Sequence, residues 1–555
     1  MSQRILIAVA WPYANGSIHI GQVAGVYLPA DIFARYHRMK GNSVLMVSGS
    51  DAHGTPVTLT AERLGTSPEQ VSGKYQTEFL DNWNKFGITF DLFTTTHTAN
   101  HFEVVQDIFM NLYEKDYIYK DTMLQPYCKV DNRFLADRYV GGICPNCNFD
   151  GARGDQCDNC SKTLDPKDLI NMTCLLCNNS PVIKETEHFF LRLSAFEKQL
   201  SEWVESRKDW KSNVRNFTLG YLKSGLHDRA ITRDITWGIP LPIEGYETKR
   251  IYVWFEAVIG YLSASKEWAH NSGNTNVWEK FWKTNSQSFY FMGKDNIPFH
   301  TIIWPAILMG YGELNLPYDV PANEYMNLEG AKLSTSRNWA IWLPDYLEKY
   351  EPDPLRYVIA ANMPESSDSD FSWREYVRCN NDELVATYGN LVQRVLTMIS
   401  RNFDNRVPSP NKLTSLDNQL IKLAQDHISS TGTHLEKCRF RQALQSAMNL
   451  AQLTNQYLEQ KEPWRSVKTN PEEAASTLWV SISVINCLKT QFYPCLPFSS
   501  EKLHKMLGFK GSVRDTNWTW DPYEIERNQV LGKIEPLFTK LDKKIIESEM
   551  QNLVN

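Results

Sequence analysis

Short, continuous apolar segments near the N-terminus and in the middle of the chain predict buried parallel strands. The first covers residues 5–10 and runs into a turn-forming Trp-Pro-Tyr-Ala-Asn-Gly sequence. Residues 44–47 and 289–292 repeat the pattern, and a polar cluster follows each of them. Doubly wound sheets bind ligands beyond the carboxyl ends of their strands. The pattern therefore predicts an α/β fold with a doubly wound, Rossmann-like parallel sheet and a ligand site at its edge.

From about residue 386 onward the apolar positions follow a helical period instead. One apolar face has the i, i+3, i+4, i+7 spacing and consists of Phe440, Ala443, Leu444, Ala447, Met448 and Ala451. Pro463 is predicted to end this helix. Amphipathic stretches at 417–436, 473–490 and 528–549 predict further helices, so the C-terminal part is expected to be an α-helical bundle.

A cysteine-rich segment interrupts the strand pattern, which predicts an insertion that splits the sheet domain into halves. The segment after the second half mixes both periods and is interpreted as a connecting unit. The predicted organisation is a first sheet half at 1–117, the insertion at 118–230, a second sheet half at 231–325, the connecting unit at 326–385 and the helical domain at 386–555.

Composition agrees with a large globular protein of several packed units. The chain has 555 residues, 42% hydrophobic and 12% aromatic, which argues against intrinsic disorder. Its net charge is −6, so a nucleic-acid partner must be held by local basic patches. The N-terminus lacks the features of a signal peptide, and no stretch approaches the length of a membrane span. A cytoplasmic location without membrane contact is therefore expected.

Seven of the eleven cysteines lie in the predicted insertion, which indicates metal binding in a reducing compartment. Two Cys-x2-Cys pairs with nine residues between them supply the four thiolates that a tetrahedral zinc ion requires. These ligands are Cys144, Cys147, Cys157 and Cys160. Four reduced structural cysteines without metal are the alternative.

A third Cys-x2-Cys pair needs two more ligands, and an upstream Cys-x2-Asp pair has the right spacing to provide them. The second predicted zinc site therefore consists of Cys128, Asp131, Cys174 and Cys177. A carboxylate is a less favoured ligand in a thiolate site. The alternative is that Asp131 is a turn residue and that the two thiols bind no metal.

Two further motifs carry chemistry that involves phosphate. His19-Ile-Gly21 follows the first strand and its turn, where a helix N-terminus attracts anions. Lys332-Leu-Ser-Thr-Ser336 follows Gly330, and a lysine on such a loop can stabilise charge on a transferring phosphoryl group. Taken alone, each motif also fits a structural histidine or a solvated loop.

The order of the motifs is more informative than any single one. The segments are PYANGSIHIG at 12–21, SDAHGTP at 50–56, the cysteine pairs, YVWFEAVIGY at 252–261, GKDNIPFH at 293–300 and EGAKLSTSRN at 329–338. Over essentially its whole length the chain resembles the methionyl-tRNA synthetases, a family of class I aminoacyl-tRNA synthetases. The first and last segments are common to class I enzymes, whereas the others are more specific to the methionine family.

The resemblance implies a methionine–tRNA ligase. Such an enzyme activates methionine with ATP to methionyl-adenylate and transfers the methionyl group to the 3′-terminal adenosine of tRNA with a CAU anticodon, for initiation and elongation of translation. Magnesium is expected with the ATP. The implied catalytic residues are His19, Gln22 and Lys332, and the implied ATP-binding residues are His19, Gly21, Gln22, Asp295, Lys332, Ser334 and Thr335.

Two positions depart from the signatures of the family. Gln22 stands where a second histidine is usual, and Thr335 stands where a second lysine is usual. A glutamine amide can still donate to phosphate, whereas threonine lacks the positive charge of the usual lysine. Lys332 is therefore expected to provide most of the charge stabilisation by this loop.

The resemblance also implies the substrate contacts. A polarizable thioether is best selected by an aromatic pocket with few polar groups, and Asp51 is expected to hold the substrate ammonium. The implied methionine-binding residues are Trp11, Tyr13, Asp51, Trp254, Ala257, Tyr261 and His300. The implied anticodon-binding residues are Asn390, Arg394 and Trp464. Without the resemblance, core packing and exposed helix positions would explain these residues.

Three other interpretations remain open at this point. They are a class I ligase for another aliphatic amino acid, a catalytically silent relative that binds tRNA, and a zinc-containing nucleic-acid-binding protein. The short insertion argues against the first, because editing enzymes need a second hydrolytic domain. No appended dimerisation module is recognised after the helical domain, so a monomer is expected.

Overall fold

The structure is a computed structural model. It describes residues 2–135, 139–154, 157, 159, 160, 162, 164–283, 285–335 and 337–554. Ser336 of the predicted phosphate loop lies outside these residues. The strands are β1 Arg4–Val9, β2 Ser43–Ser50, β3 Leu92–Thr95, β4 Ile118–Cys128, β5 Arg133–Phe134, β6 Val140–Ile143, β7 Ala152–Arg153, β8 Ile170–Cys174, β9 Val182–Leu191, β10 Arg229–Ala230, β11 Thr232–Arg233, β12 Arg250–Ile251, β13 Ser286–Phe291, β14 Met326–Leu328 and β15 Ser369–Phe371.

The α-helices alternate with the strands in the first part of the chain and follow one another in the last part. They are α1 Ile20–Gln22, α2 Leu28–Met39, α3 Thr55–Leu64, α4 Pro68–Phe86, α5 Ala99–Glu114, α6 Glu197–Ser206, α7 Ser212–Lys223, α8 Val253–Asn271, α9 Glu279–Trp282, α10 Trp304–Tyr311, α11 Leu343–Lys349, α12 Pro352–Ala361, α13 Trp373–Arg378, α14 Asn390–Asn402, α15 Ser415–Glu436, α16 Phe440–Lys461, α17 Pro463–Thr469, α18 Pro471–Phe492, α19 Pro497–Met506 and α20 Lys544–Val554. Shorter 3₁₀ or π-helical segments occupy Val23–Tyr27, Pro166–Asp168, Leu193–Phe196, Lys294–Asn296, Phe299–Ile303, Cys379–Gly389 and Val513–Asp515.

A parallel sheet with the strand order β13-β1-β2-β3 forms the centre of the first domain. Residues 5–9 of β1 are buried, and apolar clusters cover both of its faces: Ile5, Ile7 and Val9 join one cluster, whereas Leu6 and Ala8 join the other. Burial on both faces explains the continuous apolar run of this strand. The predicted α/β fold with a parallel, Rossmann-like sheet is confirmed.

The register of the sheet brings the predicted polar segments to one edge. Val9 pairs with Phe291 in β13, and Ala8 pairs with Val47 in β2. The carboxyl ends of these three parallel strands therefore open onto the same edge. The segments that start at Ala10, Asp51 and Gly293 leave the sheet there.

Two antiparallel sheets occupy the cysteine-rich insertion. In the first, with the order β10-β9-β4-β5, β4 and β9 pair over most of their length. In the second, β6 lies between β7 and β8. The change from parallel to antiparallel pairing agrees with an insertion into the sheet domain. The exact domain boundaries remain predictions.

The C-terminal part is a helical bundle in which α15, α16 and α18 contact one another. The predicted apolar face of α16 is buried along its length, from Phe440 to Ala451. This helix ends at Lys461, just before Pro463, as predicted. Pro463 also starts the next helix, at a position where proline is favoured.

The predicted helix at 528–549 is wrong for residues 528–543. Helix α20 starts only at Lys544, and the preceding chain is irregular. Val530 forms an isolated antiparallel bridge with Arg406, and the Gly532 N–H donates to the Met506 carbonyl at 2.9 Å. Pro536 cannot extend a regular helix because it lacks an N–H donor. The apolar residues of this segment are instead buried as an extended strap against the bundle, at Leu531, Leu537 and Phe538.

A buried ion-pair cluster joins the sheet domain to the helical domain. The Arg356 guanidinium lies 2.6 Å from the Asp31 carboxylate, and both side chains are fully buried. Arg356 also donates to the Pro494 and Cys495 carbonyls at 3.1 and 2.7 Å. Burial alone would raise the pKa of Asp31, but Arg35 and Arg356 lower it to about 2. The cluster fixes α2, α12 and the segment before α19 to one another.

We predict that Arg356→Ala lowers the free energy of unfolding by about 3 to 5 kcal/mol, because it leaves Asp31 buried without this partner. The matched control is Arg465→Ala. Arg465 is 73% exposed and pairs with Glu462, so its loss is expected to cost less than about 1 kcal/mol. Urea unfolding followed by circular dichroism measures both. Equal effects of the two substitutions would contradict the structural role of the cluster.

Candidate active site, metal centres and tRNA-binding surface

The segment after β1 positions His19 at the start of α1. The His19 N–H donates to the Gln22 side-chain oxygen at 3.0 Å, so Gln22 caps the helix that it belongs to. Burial lowers the pKa of His19 to about 4, so its imidazole is neutral at neutral pH. Its Nδ1 is buried and has no hydrogen-bond partner among the described residues. His19 therefore presents an uncharged polar group next to a helix N-terminus.

The loop that carries Lys332 packs directly against this helix. A side-chain carbon at Gly21 would lie 2.5 Å from Leu333 Cδ1, so a larger residue at this position would require the Leu333 side chain to move. Backbone hydrogen bonds in both directions between Ser334 and Trp339 close the loop, at 3.0 and 2.9 Å. The structure therefore brings the first and last sequence motifs together, although they are more than 300 residues apart.

Tyr325 links the Lys332 loop to the segment after β13. Lys332 Nζ lies 5.6 Å from the centre of the Tyr325 ring, and Lys294 Nζ lies 4.2 Å from it. Burial and the nearby Asp295 carboxylate raise the pKa of Tyr325 to about 12. Lys332 and Thr335 are both exposed. The two charged groups predicted to contact ATP, Lys332 and Asp295, thus lie around one tyrosine.

The aromatic pocket begins with Trp11, which lies between two glycines. A side-chain carbon at Gly49, at the end of β2, would lie 2.2 Å from the Trp11 ring, and one at Gly260 in α8 would lie 2.7 Å from it. The Tyr261 ring approaches the edge of Trp11 with centroids 6.4 Å apart. The two glycines are required because the indole fills the space between β2 and α8.

Tyr261 and His300 form a buried polar contact beside this indole. The distance between Tyr261 Oη and His300 Nε2 is 2.7 Å, and His300 Nδ1 lies 2.9 Å from the Asn296 carbonyl. Since Nδ1 donates to that carbonyl, Nε2 accepts the tyrosine hydroxyl proton. Burial lowers the pKa of His300 to about 4, so this pair is uncharged. It is a weakly polar group in an otherwise aromatic wall.

The remaining predicted pocket residues lie on the same edge. Trp254 Nε1 donates to Tyr13 Oη at 3.0 Å, and the Trp254 ring packs against Phe299 with centroids 4.9 Å apart. Ala257 is half-buried in the next turn of α8. Asp51 follows β2, and its backbone pairs with Tyr13 as an isolated parallel bridge.

Asp51 is a buried carboxyl group close to a second one. Only 4% of Asp51 is exposed, and Glu256 is fully buried. Burial and the charge of Glu256 raise the pKa of Asp51 well above its ordinary value. A buried carboxylate of this kind is suited to a cationic ligand, because an ammonium ion would compensate its charge.

The first cysteine cluster has the spacing of a tetrahedral zinc site. Cys144 Sγ and Cys160 Sγ are 3.9 Å apart, and Cys147 Sγ and Cys157 Sγ are 3.6 Å apart. Thiolates about 2.3 Å from a tetrahedral zinc ion would be separated by about 3.8 Å. The four side chains can therefore hold a zinc ion without rearrangement.

The second cluster gathers the other predicted ligands. Cys128 Sγ lies 3.4 Å from Cys177 Sγ, and Cys174 Sγ lies 3.1 Å from an Asp131 carboxylate oxygen. The four ligand atoms lie within 4.8 Å of one another. The contacts of Asp131 with the three thiols lower its pKa to about 2, first through Cys177 and then through Cys128 and Cys174. This second group can also hold a metal ion.

An open groove in the helical domain contains two of the three predicted anticodon residues. Its volume is about 450 Å³, and Gln393, Arg394, Thr397, Met398 and Trp464 line it. The Arg394 guanidinium lies 5.2 Å from the centre of the Trp464 ring, which is 39% exposed. Asn390 lies one turn before Arg394 and is exposed at the start of α14. The groove offers a cation and an aromatic face to a planar ligand.

Comparison with known proteins identifies the family. The model of class I tRNA synthetases (M) matches residues 5–396, and the model of the anticodon binding domain of methionyl tRNA ligase matches residues 407–552. The chain belongs to the methionyl-tRNA synthetase family. The predicted family is confirmed, and with it the predicted function of a methionine–tRNA ligase, an ATP-dependent enzyme.

Relatives and solved structures of this family cover nearly the whole chain. The methionine–tRNA ligase of Dehalococcoides mccartyi is 56% identical over 549 residues, which are 99% of each chain. That of Thermomicrobium roseum is 49% identical and covers 100% of this chain and 99% of its own. The methionyl-tRNA synthetase of Mycobacterium tuberculosis bound by methionyl-adenylate has the same fold, with a TM-score of 0.79 and 23% identity over 97% of this chain and all of that one.

Several residues that shape this synthetase site were not singled out in the sequence. Tyr325, Leu333, Gly49 and Gly260 are contacts of the predicted residues, and three of them stand within or beside the quoted motifs. No sequence motif singles out Tyr325, because it approaches Lys332 only when the chain is folded. In the part of the chain that is described, no helix combines the length and the apolar character needed to cross a membrane.

Proposed function

We propose that the chain joins methionine to tRNA in two steps at the carboxyl edge of its parallel sheet. The methionine carboxylate attacks the α-phosphate of ATP and releases pyrophosphate, and the tRNA 3′-terminal adenosine then takes the methionyl group and releases AMP. The observation that carries this proposal is the convergence of the segments after β1, β2 and β13 with the Lys332 loop in a member of the family. The product supplies initiation and elongation of translation.

On the amino-acid side, the proposed site recognises the substrate by the shape of an aromatic pocket and by one charged side chain. Asp51 would hold the substrate ammonium, since its buried carboxylate needs a cation. The thioether would lie against the wall formed by Trp11, Tyr261 and His300, with Tyr13, Trp254 and Ala257 at its sides. A neutral Tyr261–His300 pair offers one weak polar contact and no charge, which suits a polarizable sulfur atom.

The nucleotide side of the proposed site uses neutral donors and one exposed cation, Lys332. Neutral His19 would donate to phosphate near the start of α1, with Gln22 beside it and Gly21 leaving room for the adenine. Asp295 would contact the ribose, and Ser334 and Thr335 would follow the phosphates on the loop of Lys332. Magnesium bound with ATP would offset the charge of the pyrophosphate. No protein nucleophile is needed, because positioning and charge stabilisation carry the rate.

The test of the function is methionine-dependent exchange of pyrophosphate into ATP. We expect exchange with methionine and far less with leucine or isoleucine, because the aromatic wall fits a flexible thioether. Equal exchange with leucine would contradict the specificity. A protein that binds tRNA without any exchange would be a silent relative instead.

For the loop, we predict that Lys332→Ala slows adenylate formation by about 10²-fold or more, the scale of losing one preorganised charge-stabilising donor. Thr335→Ala is the matched control in the same loop and should have a much smaller effect, because threonine carries no charge. Single-turnover formation of methionyl-adenylate measures both. Equal losses would mean that charge stabilisation is wrongly assigned to Lys332.

We propose that each of the two ligand groups, Cys144–Cys147–Cys157–Cys160 and Cys128–Asp131–Cys174–Cys177, holds one zinc ion. All eleven cysteines are free in the structure. Reducing cytoplasmic conditions would keep the thiols available as ligands. Elemental analysis of the purified protein should find two zinc ions per chain, and Cys147→Ser should remove one of them. Cys379→Ser, at a buried cysteine outside both clusters, is the control and should retain both. One zinc ion in the unmodified protein would reject the site at Asp131, and none would reject both.

We also propose that Asn390, Arg394 and Trp464 bind unpaired anticodon bases, with stacking on the indole. Trp464→Ala should lower kcat/KM for aminoacylation of tRNA with a CAU anticodon by about 5- to 150-fold, since base stacking is worth about 1 to 3 kcal/mol. Pyrophosphate exchange should stay near the wild-type rate. Tyr523→Ala, at a 61% exposed aromatic residue of the same domain, is the control and should change neither step. A parallel loss of both activities in Trp464→Ala would assign Trp464 a structural role.

A further inference from the structure

A chain of ionisable side chains lies directly behind Asp51. His53 Nδ1 is 3.0 Å from both carboxylate oxygens of Glu256, and His53 Nε2 is 3.0 Å from His97 Nδ1. The backbone N–H of His53 donates to Asp51 Oδ1 at 3.3 Å. His53 thus contacts both buried carboxyl groups of the pocket, one through its backbone and one through its ring.

The environment of these groups makes their charge balance important. His53 is 2% exposed, Asp51 is 4% exposed and Glu256 is fully buried. Two carboxylates that share such a site cannot easily both ionise unless a cation accompanies one of them. Burial alone would raise the pKa of Glu256, but His53 and His101 lower it. Glu256 is therefore the carboxylate that the protein itself compensates, which leaves Asp51 for a ligand.

The other titratable groups around His53 are few. His101 Nε2 lies 3.7 Å from Glu256, and His101 Nδ1 is 2.7 Å from Ser263 Oγ. Burial lowers the pKa of His101. His97 is half-buried and stacks on Trp237, with ring centroids 4.5 Å apart. Glu69 is an acidic group outside the pocket that interacts electrostatically with His97. His53 is the only one of these groups in contact with both Asp51 and Glu256 among the described residues.

We propose that His53 is a positioning residue of the amino-acid site, which pairs with Glu256 so that Asp51 alone carries the uncompensated negative charge that meets the substrate ammonium. The inference rests on the proposed role of Asp51 in methionine binding. With the pair intact, Glu256 opposes the ionisation of Asp51 less, so the substrate ammonium has to displace a proton from Asp51 only on the acid limb of the pH profile. Without the imidazole, Asp51 and Glu256 share a proton up to higher pH, so the acid limb moves to higher pH.

The test is the pH profile of the KM for methionine in pyrophosphate exchange, measured for a single variant and a double variant. His53→Asn keeps an amide donor near the Nδ1 position but removes the imidazole that pairs with Glu256. We expect it to move the acid rise of the KM to higher pH by at least about one unit, equal to about a tenfold higher KM on that limb. The KM for ATP should stay within about twofold of wild type, which also shows that the variant is folded. His53→Gln takes its place if His53→Asn does not fold.

The second variant also removes the carboxylate of Glu256. Glu256→Gln in the His53→Asn background should return the pH profile to within about threefold of wild type, because neither half of the pair then remains. An unchanged profile in His53→Asn would overturn the proposal. It would equally be overturned if the double variant were as impaired as His53→Asn, or if the KM for ATP rose in parallel, as expected for a merely structural histidine.

Asp51→Asn separates the failure of this inference from the failure of the proposed site. A raised KM for methionine in Asp51→Asn together with a normal His53→Asn profile would reject the role of His53 alone. An unchanged KM in Asp51→Asn would reject the ammonium contact, and the role of His53 with it.

Discussion

The parallel arrangement of β13, β1 and β2 is the constraint on which the site depends. These strands are buried, so their own side chains fill the core, and polar chemistry is confined to the segments that follow them. Their register places Val9, Ser50 and Phe291 near one edge. Residues far apart in sequence therefore meet without any loop having to cross the sheet. The aromatic pocket and the phosphate loop are arranged around that single edge.

The sequence predicted those features that depend on local pattern. Continuous apolar runs located the strands. The spacing of the cysteines located both groups of candidate metal ligands, whose ligand atoms are close together in the structure. It did not predict features that depend on long-range packing. Trp11 between Gly49 and Gly260 and Leu333 over Gly21 arise only when distant segments meet. The apolar residues at 528–549 follow a helical period, but most of this segment is irregular. They are buried because the extended chain packs against the bundle, so a helix was not needed to bury them.

The connection between the two large domains combines a shared apolar core with a buried ion-pair cluster. Asp31 and Arg356 are fully buried, and Arg356 also binds carbonyl groups beside α19. Such a cluster is costly to separate, because each charge would lose its partner in a low-dielectric interior. It therefore fixes α2 of the sheet domain to α12 and to the segment before α19.

A crystal structure with a non-hydrolysable analogue of methionyl-adenylate would show directly where the two halves of the intermediate bind. We predict that the ammonium group lies beside Asp51, the sulfur atom against Trp11, Tyr261 and His300, and the adenine over Gly21, with the phosphate mimic near His19. Density for the analogue away from the carboxyl edge of the sheet would contradict it. So would an analogue bound at this edge with its amino-acid and nucleotide ends reversed.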